Sequence, residues 1–310
     1  MADYHVGTAG WSYEDWDGIV YPVPKPRGFH ALAYLAGFID IVEVNSTFYR
    51  PAAPAMVRSW LGKIEDRPGF MLALKLYQAF THARAGFAQK DIDDVRRAAD
   101  LVRLQGRLAA LLLQFPWSFR NSPENGEYLR RLFGLFAGYP LAVEVRHRGW
   151  DEPAFYALLK DHGAAFCNID QPVIGESLGP SAISTTPEFA YVRLHGRNYK
   201  NWFREEAGRN DRYDYLYAKD ELEGWVARIK ELGRKSGKVY IITNNHYRGQ
   251  AMANALQIRN MITGEKVDVP ELVLERYPVL REIVRAIKAG QKDLFAGDGE
   301  DGTPGEGGTG

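Results

Sequence analysis

The chain has 310 residues, 45% of them hydrophobic, and its 39 basic residues balance 39 acidic ones. That length buries a large core in one big α/β domain or two small ones, and zero net charge excludes nucleic-acid binding by bulk charge alone, leaving only a local basic groove. The single cysteine, Cys167, excludes internal disulfides and a cysteine-rich zinc site, and no apolar run approaches the roughly 20 residues that span a bilayer. The first strand-like run begins within a few residues of Met1 and leaves no room for a leader, so a soluble protein of a reducing, cytoplasmic compartment, apart from membranes, is expected.

Eight strand-like runs follow one another along the chain. They are YHVGTAG from Tyr4, DIVEVNS from Asp40, FMLALKL from Phe70, AALLLQF from Ala109, LAVEVRH from Leu141, AAFCNID from Ala164, FAYVRLH from Phe189 and VYIITNN from Val239. Most gaps carry apolar residues at helical spacing: Val57, Trp60, Leu61 and Ile64; Phe155, Leu158, Leu159 and His162; Leu222, Trp225, Val226 and Ile229. Asp151 ahead of Pro153 marks a helix start, whereas Gln171 to Glu188 is rich in Pro, Gly and Ser and reads as loop. Strands alternating with helices over about 250 residues predict a single (β/α)8 TIM barrel. A doubly wound open sheet is the competing architecture, but neither G-x-G-x-x-G nor a Walker A sequence occurs. Leu280, Ile283, Val284 and Ile287 predict one extra C-terminal helix ended by Gly290. The last 14 residues, with seven glycines, four acids and no apolar side chain, predict a disordered Gly/acidic tail. The expected organisation is a barrel over 1–290 and a flexible tail over 291–310.

LAVEVRHRGW, from Leu141, is the most pointed strand: Leu141, Val143 and Val145 alternate with Ala142, Glu144 and Arg146. The same pattern recurs. With the apolar face of each strand set against the helices, the inward positions are Glu43 and Asn45, Lys75, Gln114, Glu144 and Arg146, Asn168 and Asp170, Arg193 and His195, and Asn245 with Asn244 and His246 beside it. Polar groups near the C-terminal ends of seven strands mark the place where barrel active sites are built. Three acids, Glu43, Glu144 and Asp170, face three bases, Lys75, Arg146 and Arg193, which is also the composition of a self-neutralising buried network. That balance disfavours a divalent metal, for which His195 and His246 with a carboxylate are the weak candidates, and no cofactor signature is present.

Aromatic residues follow the strands: Trp11, Trp16, Trp117, Trp150 and Trp202. From Arg193 to Arg212, six basic residues outnumber three acids around Tyr199, Trp202 and Phe203. Such a loop at a barrel mouth suits an anionic substrate with a planar or ring component, a sugar phosphate, nucleotide or nucleic acid. Arg197, Tyr199, Lys200 and Trp202 are its expected contacts, with Trp11.

GTAGWSYEDW from Gly7, EVNSTFYR from Glu43, FTHAR from Phe80, LLQFPWSF from Leu112, EVRHRGW from Glu144, YVRLHGRN from Tyr191, RYDYLY from Arg212 and NNHYRGQAMANA from Asn244 together resemble the YecE-like family, also called domain of unknown function 72. The resemblance covers roughly Tyr4 to Lys288. It implies a (β/α)8 barrel and leaves the reaction open, because the family has no settled activity. Its motifs fall on the inward ring. The tail segment QKDLF, with Gln291, Leu294 and Phe295 as its anchors, resembles the short peptide by which bacterial proteins dock on the DNA sliding clamp.

Acid–base chemistry on a small anionic sugar- or phosphate-containing substrate is therefore the first functional expectation, with hydrolase, lyase and isomerase all open. Glu144 is expected as general acid or base with His195 as its proton-transfer partner. Arg146, Arg193 and Lys75 are expected to neutralise negative charge, and Asn45, Gln114, Asn244 and Asn245 to orient hydroxyls. Glu43 and Asp170 complete the candidate catalytic set. A nucleic-acid-processing enzyme docked on the clamp and a non-catalytic binding module on a barrel scaffold are the alternatives.

Overall fold

The computed structural model describes residues 2–285 except 203 and 205–207. Eight parallel strands close into a barrel: β1 (Asp3–Ala9), β2 (Ile41–Val44), β3 (Met71–Lys75), β4 (Leu108–Gln114), β5 (Leu141–Glu144), β6 (Ala165–Asp170), β7 (Phe189–Leu194) and β8 (Lys238–Thr243), with β8 paired back onto β1. Strands covered on both faces read as near-continuous apolar runs, and LAALLLQ of β4 is buried along its whole length. The α-helices are α1 (Ala31–Leu35), α2 (Pro54–Lys63), α3 (Gln89–Leu104), α4 (Pro123–Leu135), α5 (Pro153–Asp161), α6 (Arg209–Arg212), α7 (Lys219–Gly233), α8 (Gln250–Thr263) and α9 (Glu271–Arg276). The expected apolar stripes on α2, α5 and α7 give buried sides, Val57 and Trp60 on α2, Phe155, Leu158 and Leu159 on α5 and Leu222, Trp225, Val226 and Ile229 on α7, whereas Leu61 is half-buried and His162 is exposed past the end of α5. Proline opens α2, α4 and α5 at the first turn, where its missing N–H costs nothing.

No helix follows β6. Asn168 performs the covering role from the outer face of that strand. Its Oδ1 accepts from Ser181 Oγ at 2.9 Å and from the Ile183 amide at 2.8 Å, and its Nδ2 donates to the Ile183 carbonyl at 2.9 Å. Thr185 Oγ1 accepts from the Phe166 amide and donates to the Ala164 carbonyl. The Gln171–Glu188 loop is thereby laced to the strand that a helix would otherwise cover.

The C-terminal stripe takes a different form from the long helix the spacing predicts. The short helix α9 is followed by a 3-10 turn, Pro278–Glu282, which buries Leu280, and Val284 then makes a parallel bridge to Val267. Tertiary pairing wins over local periodicity here, because the Val267 backbone offers partners that a solitary helix lacks. Ile287, Gly290 and the QKDLF segment lie outside the described residues. No described helix is long and apolar enough to cross a membrane.

Paired residues of a parallel ladder face the same side. The register Gly7↔Ile41, Ala9↔Glu43, Glu43↔Ala73, Ala73↔Ala110 and Leu112↔Ala142 therefore puts small residues in the barrel interior on the strands beside Glu43 and Glu144. The space they leave admits long charged side chains. Gly7 is the tightest case: a Cβ there would stand 1.7 Å from the Ile41 carbonyl oxygen, a backbone atom that cannot swing away. Gly7→Ala should cost at least ~2 kcal/mol of stability by overpacking, measured as a lower urea midpoint. An unchanged midpoint would show that β1 and β2 separate freely.

Candidate active site

The interior ring is centred on one guanidinium. Arg193, on β7 and 1% exposed, spans two fully buried carboxylates. Its Nη2 lies 2.6 Å from Glu43 Oε1 on β2, and its Nη1 donates to Glu144 Oε2 on β5. Tyr191, two residues earlier on β7 and on the same face, donates its hydroxyl to Glu43 Oε2 at 3.1 Å. Arg146 reaches back along β5 so that its Nε is 3.0 Å from Glu144 Oε1. His195 sits above Arg193 with Nε2 3.3 Å from the same oxygen. Asn244 of the β8 end is 2.9 Å from His195 Nδ1. With the amide donating to Nδ1, the ring proton resides on Nε2 and faces Glu144.

Electrostatics follow from this geometry. Burial works to raise the Glu144 carboxyl, but Arg193 and its other neighbours outweigh it and hold the group well below the usual carboxylate range. Burial lowers His195 to about 3 against the opposing pull of Glu144, so the imidazole is neutral at physiological pH. Lys75, at the end of β3, is brought down to about 7, first by burial and then by Arg193, against Glu43 and Glu144. Its ammonium rests 4.1 Å from the centroid of the Phe48 ring. Burial, with Lys75 and Arg146 nearby, lowers His82 to about 4, and its ring meets the edge of the same Phe48 at 4.8 Å.

Above the ring opens a cavity of about 410 Å³. Trp11, Tyr13, Phe48, Met56, Trp60 and Tyr213 form its apolar and aromatic walls, and Asn45, Lys75, Gln114, Arg193, Asn244 and His246 supply polar groups. Among the described residues no acidic side chain belongs to this lining. The walls are braced from the β1 loop: Tyr13 stacks on His246 at 4.4 Å and 7°, and Trp16 Nε1 donates to the His246 carbonyl at 2.7 Å. Thr47 packs beneath, its hydroxyl 2.7 Å from the Lys75 carbonyl oxygen and 2.8 Å from that of Val44, which ties the β2 and β3 ends together.

The structure brings together Glu43, Asn45, Lys75, Gln114, Glu144, Arg146, Arg193, His195, Asn244, His246 and Trp11 at this mouth. It corrects the assignments on β6 and β8. In β6, pairing with Tyr191 and Arg193 turns Cys167 and Ile169 inward, so Asn168 and Asp170 face out. Asp170 binds Arg197 Nε at 2.9 and 3.2 Å, and Arg197 also meets Glu221 at 2.9 Å, which removes both from the site. In β8 the inward residue is Asn244, while Asn245 donates to the Tyr215 carbonyl and to Asn254 of α8. Alternation was right in both strands and its phase was inverted, because two polar residues at alternate positions mark a face without saying which one. Glu144 is fully buried, bound by Arg193 and Arg146 with His195 beside it, and anchors the ring.

Trp202 is buried over the ring, 6.1 Å from His195 and with the Arg146 guanidinium 5.6 Å from its own centroid. Tyr199 and Lys200 are exposed on the loop beyond it. Trp16 and Trp150 are core side chains. Among the described residues no group of three or more His, Cys, Asp or Glu is placed to hold a metal. Tyr13, Phe48, Trp60, His82 and Tyr213 were not assigned to the site from the sequence, although Tyr13, Phe48, His82 and Tyr213 stand inside the motifs GWSY, EVNSTFYR, FTHAR and RYDYLY.

With that geometry in view, residues 5–276 match the family described as Protein of unknown function DUF72. The chain belongs to this family. It is 30% identical to the UPF0759 protein YunF of Bacillus subtilis over 271 residues, 83% of this chain and 94% of that one. Its fold matches the crystal structure of a DUF72 family protein from Thermotoga maritima with a TM-score of 0.73 and 36% identity, over 84% of this chain and 99% of the other. A DUF72 family structure from Enterococcus faecalis matches with a TM-score of 0.74 at 23% identity, over 86% and 97% of the two chains, and shows the shared fold. The matched residues 5–276 include the segments that build the ring and its aromatic walls.

Removing one charge of a buried pair leaves the other uncompensated. Glu144→Gln should destabilise the DUF72 barrel by about 3 to 5 kcal/mol, read from denaturant unfolding. A stable variant would mean that Arg193 draws its compensation from Glu43 alone. The Lys75 amine gives a second expectation. Its value is lower in the folded state than the ordinary 10.5, so between about 7 and 10.5 the unfolded chain holds more protons and stability rises with pH. Unfolding midpoints of the native protein should climb relative to those of Lys75→Met across that window. Parallel curves would place the amine in water.

Proposed function

We propose that this DUF72 protein is an enzyme for a small anionic substrate with a planar or ring component, and that Lys75 is the group that moves the proton. The composition of the cavity carries this reading: among the described residues Lys75 and Arg193 line it, no acidic side chain does, and the rest of the lining is aromatic, apolar or neutral polar. A cavity with cationic groups and no lining acid favours a carboxylate or phosphate. Aromatic faces favour rings, whether of sugars or bases. An amine lowered to about 7 exists as both acid and free base at neutral pH, the condition under which proton transfer is most effective. Asn45, Gln114 and Asn244 offer amides that orient substrate hydroxyls. Arg193, fixed by two carboxylates, presents its charge without reorganising, which is the preorganisation that stabilises developing negative charge. Arg146 and Glu144 hold it in place, and neutral His195 fills the space between Glu144 and Asn244.

A nucleic-acid substrate is the lesser reading. The exposed Tyr199 and Lys200 support it, but Arg197 is committed to Asp170 and Glu221 and cannot grip a phosphate without leaving them.

Sugar phosphates and aromatic carboxylates, screened first by thermal shift and then for turnover, test the reading. On any substrate turned over, kcat/KM should rise through about pH 7 as Lys75 loses its proton. Lys75→Met should lower it on the order of 100-fold or more, within the range of general acid–base contributions. Wild-type rates in Lys75→Met would overturn the assignment.

A further inference from the structure

We propose that Lys75 forms an imine with the carbonyl carbon of an anionic aldehyde or ketone held in the barrel-mouth cavity, a covalent step that rests on the functional reading above and specifies the substrate class. The arrangement of charges around the amine points to it. Glu43 is engaged by Arg193 and Tyr191, and Glu144 by Arg193 and Arg146. Among the described residues no carboxylate makes an ion pair with Lys75, whose Nζ instead lies over the Phe48 ring. A lysine placed to hold a structural charge has a carboxylate partner. Here the groups facing it are the cations Arg193 and Arg146, the neutral His82, and two carboxylates already compensated. An amine desolvated beside other cations is the arrangement that activates lysine as a nucleophile. Arg193 also lines this cavity but is 1% exposed and paired with Glu43 and Glu144, so among the described residues the Lys75 amine is the uncompensated basic group that an anionic carbonyl compound meets there.

The step balances without an external oxidant. The nitrogen lone pair attacks the carbonyl carbon, the carbon–nitrogen bond forms, and the carbonyl π pair moves to oxygen. Proton transfer from nitrogen to that oxygen gives the carbinolamine. The hydroxyl then takes a proton from solvent and leaves as water, the nitrogen lone pair closes the iminium, and loss of the remaining nitrogen proton returns that proton to solvent and gives the imine. Amine and carbonyl thus give imine and one water, and the reaction reverses by hydrolysis. The iminium is an electron sink at the carbon where proton abstraction or carbon–carbon cleavage would take place.

Glyoxylate and cyanoborohydride test the proposal on the full-length protein, with acetaldehyde as the uncharged comparison. Cyanoborohydride supplies the hydride that converts an imine into a stable secondary amine, and peptide mapping locates it. At pH 7, Lys75 should be carboxymethylated by glyoxylate at least roughly tenfold faster than the exposed Lys90, because an amine near 7 is about half unprotonated while an ordinary lysine is almost wholly charged. Acetaldehyde should label Lys75 more slowly than glyoxylate. Inorganic phosphate should slow labelling of Lys75 and raise the melting temperature of the native protein, and this stabilisation should be absent in Lys75→Met. If phosphate stabilises the protein but Lys75 labels no faster than Lys90, the imine is overturned and the proton-transfer reading stands. If acetaldehyde labels Lys75 as fast as glyoxylate and phosphate has no effect, the cavity is no anion site and both fail.

Discussion

Everything at the barrel mouth depends on one guanidinium held between two carboxylates. Arg193 has Glu43 on one side and Glu144 on the other, all three withdrawn from water. Burying a charge is costly, and only tight pairing with further hydrogen bonds offsets it. The further contacts are present: Tyr191 donates to Glu43, and Arg146 reaches Glu144. A network of this kind stabilises a fold less than apolar packing would. What it provides is an immobile positive group at the floor of a cavity and a field that acts on every titratable neighbour.

Lys75 and His195 show what burial beside that network does. Burial first, and Arg193 after it, drives both toward their neutral forms against the pull of the carboxylates, His195 to about 3 and Lys75 only to the middle of the physiological range. The difference lies in their surroundings. His195 is enclosed between Asn244, Glu144 and Trp202, while Lys75 opens onto the cavity. One barrel therefore holds an enclosed imidazole and an amine open to the cavity, and the difference follows from access rather than residue type.

The aromatic elements complete the division of labour. Trp16 and Trp150 each spend their indole N–H on a backbone carbonyl and serve as packing. Trp11 meets Trp60 edge to face at 5.8 Å and, with Tyr13, walls the cavity. The basic loop after β7 divides in the same way. Arg197 belongs to an ion-pair triad with Asp170 and Glu221, and Trp202 caps the ring from above. Tyr199 and Lys200 of the same loop stay exposed.

The barrel, its eight strands and the position of the polar ring were legible in the order of residues. Strand alternation, helical spacing and proline placement are local properties, and each is written within a few residues of where it acts. Glu43, Lys75, Glu144 and Arg193 were legible for the same reason, as charges breaking otherwise apolar strands. Three matters were not. The inward face of β6 and of β8 depends on register with β7, so Asp170 and Asn245 exchanged places with Ile169 and Asn244 only when the strands paired. The fate of Glu144 depends on Arg193, distant in sequence and adjacent across the barrel, since a carboxylate's role is set by what surrounds it. That Lys75 has no carboxylate partner among the described residues likewise depends on how β2, β3, β5 and β7 meet. Local sequence determines which segments form strands and helices and which chemistry each carries, whereas burial and charge compensation are sums over the neighbours that closure of the barrel supplies.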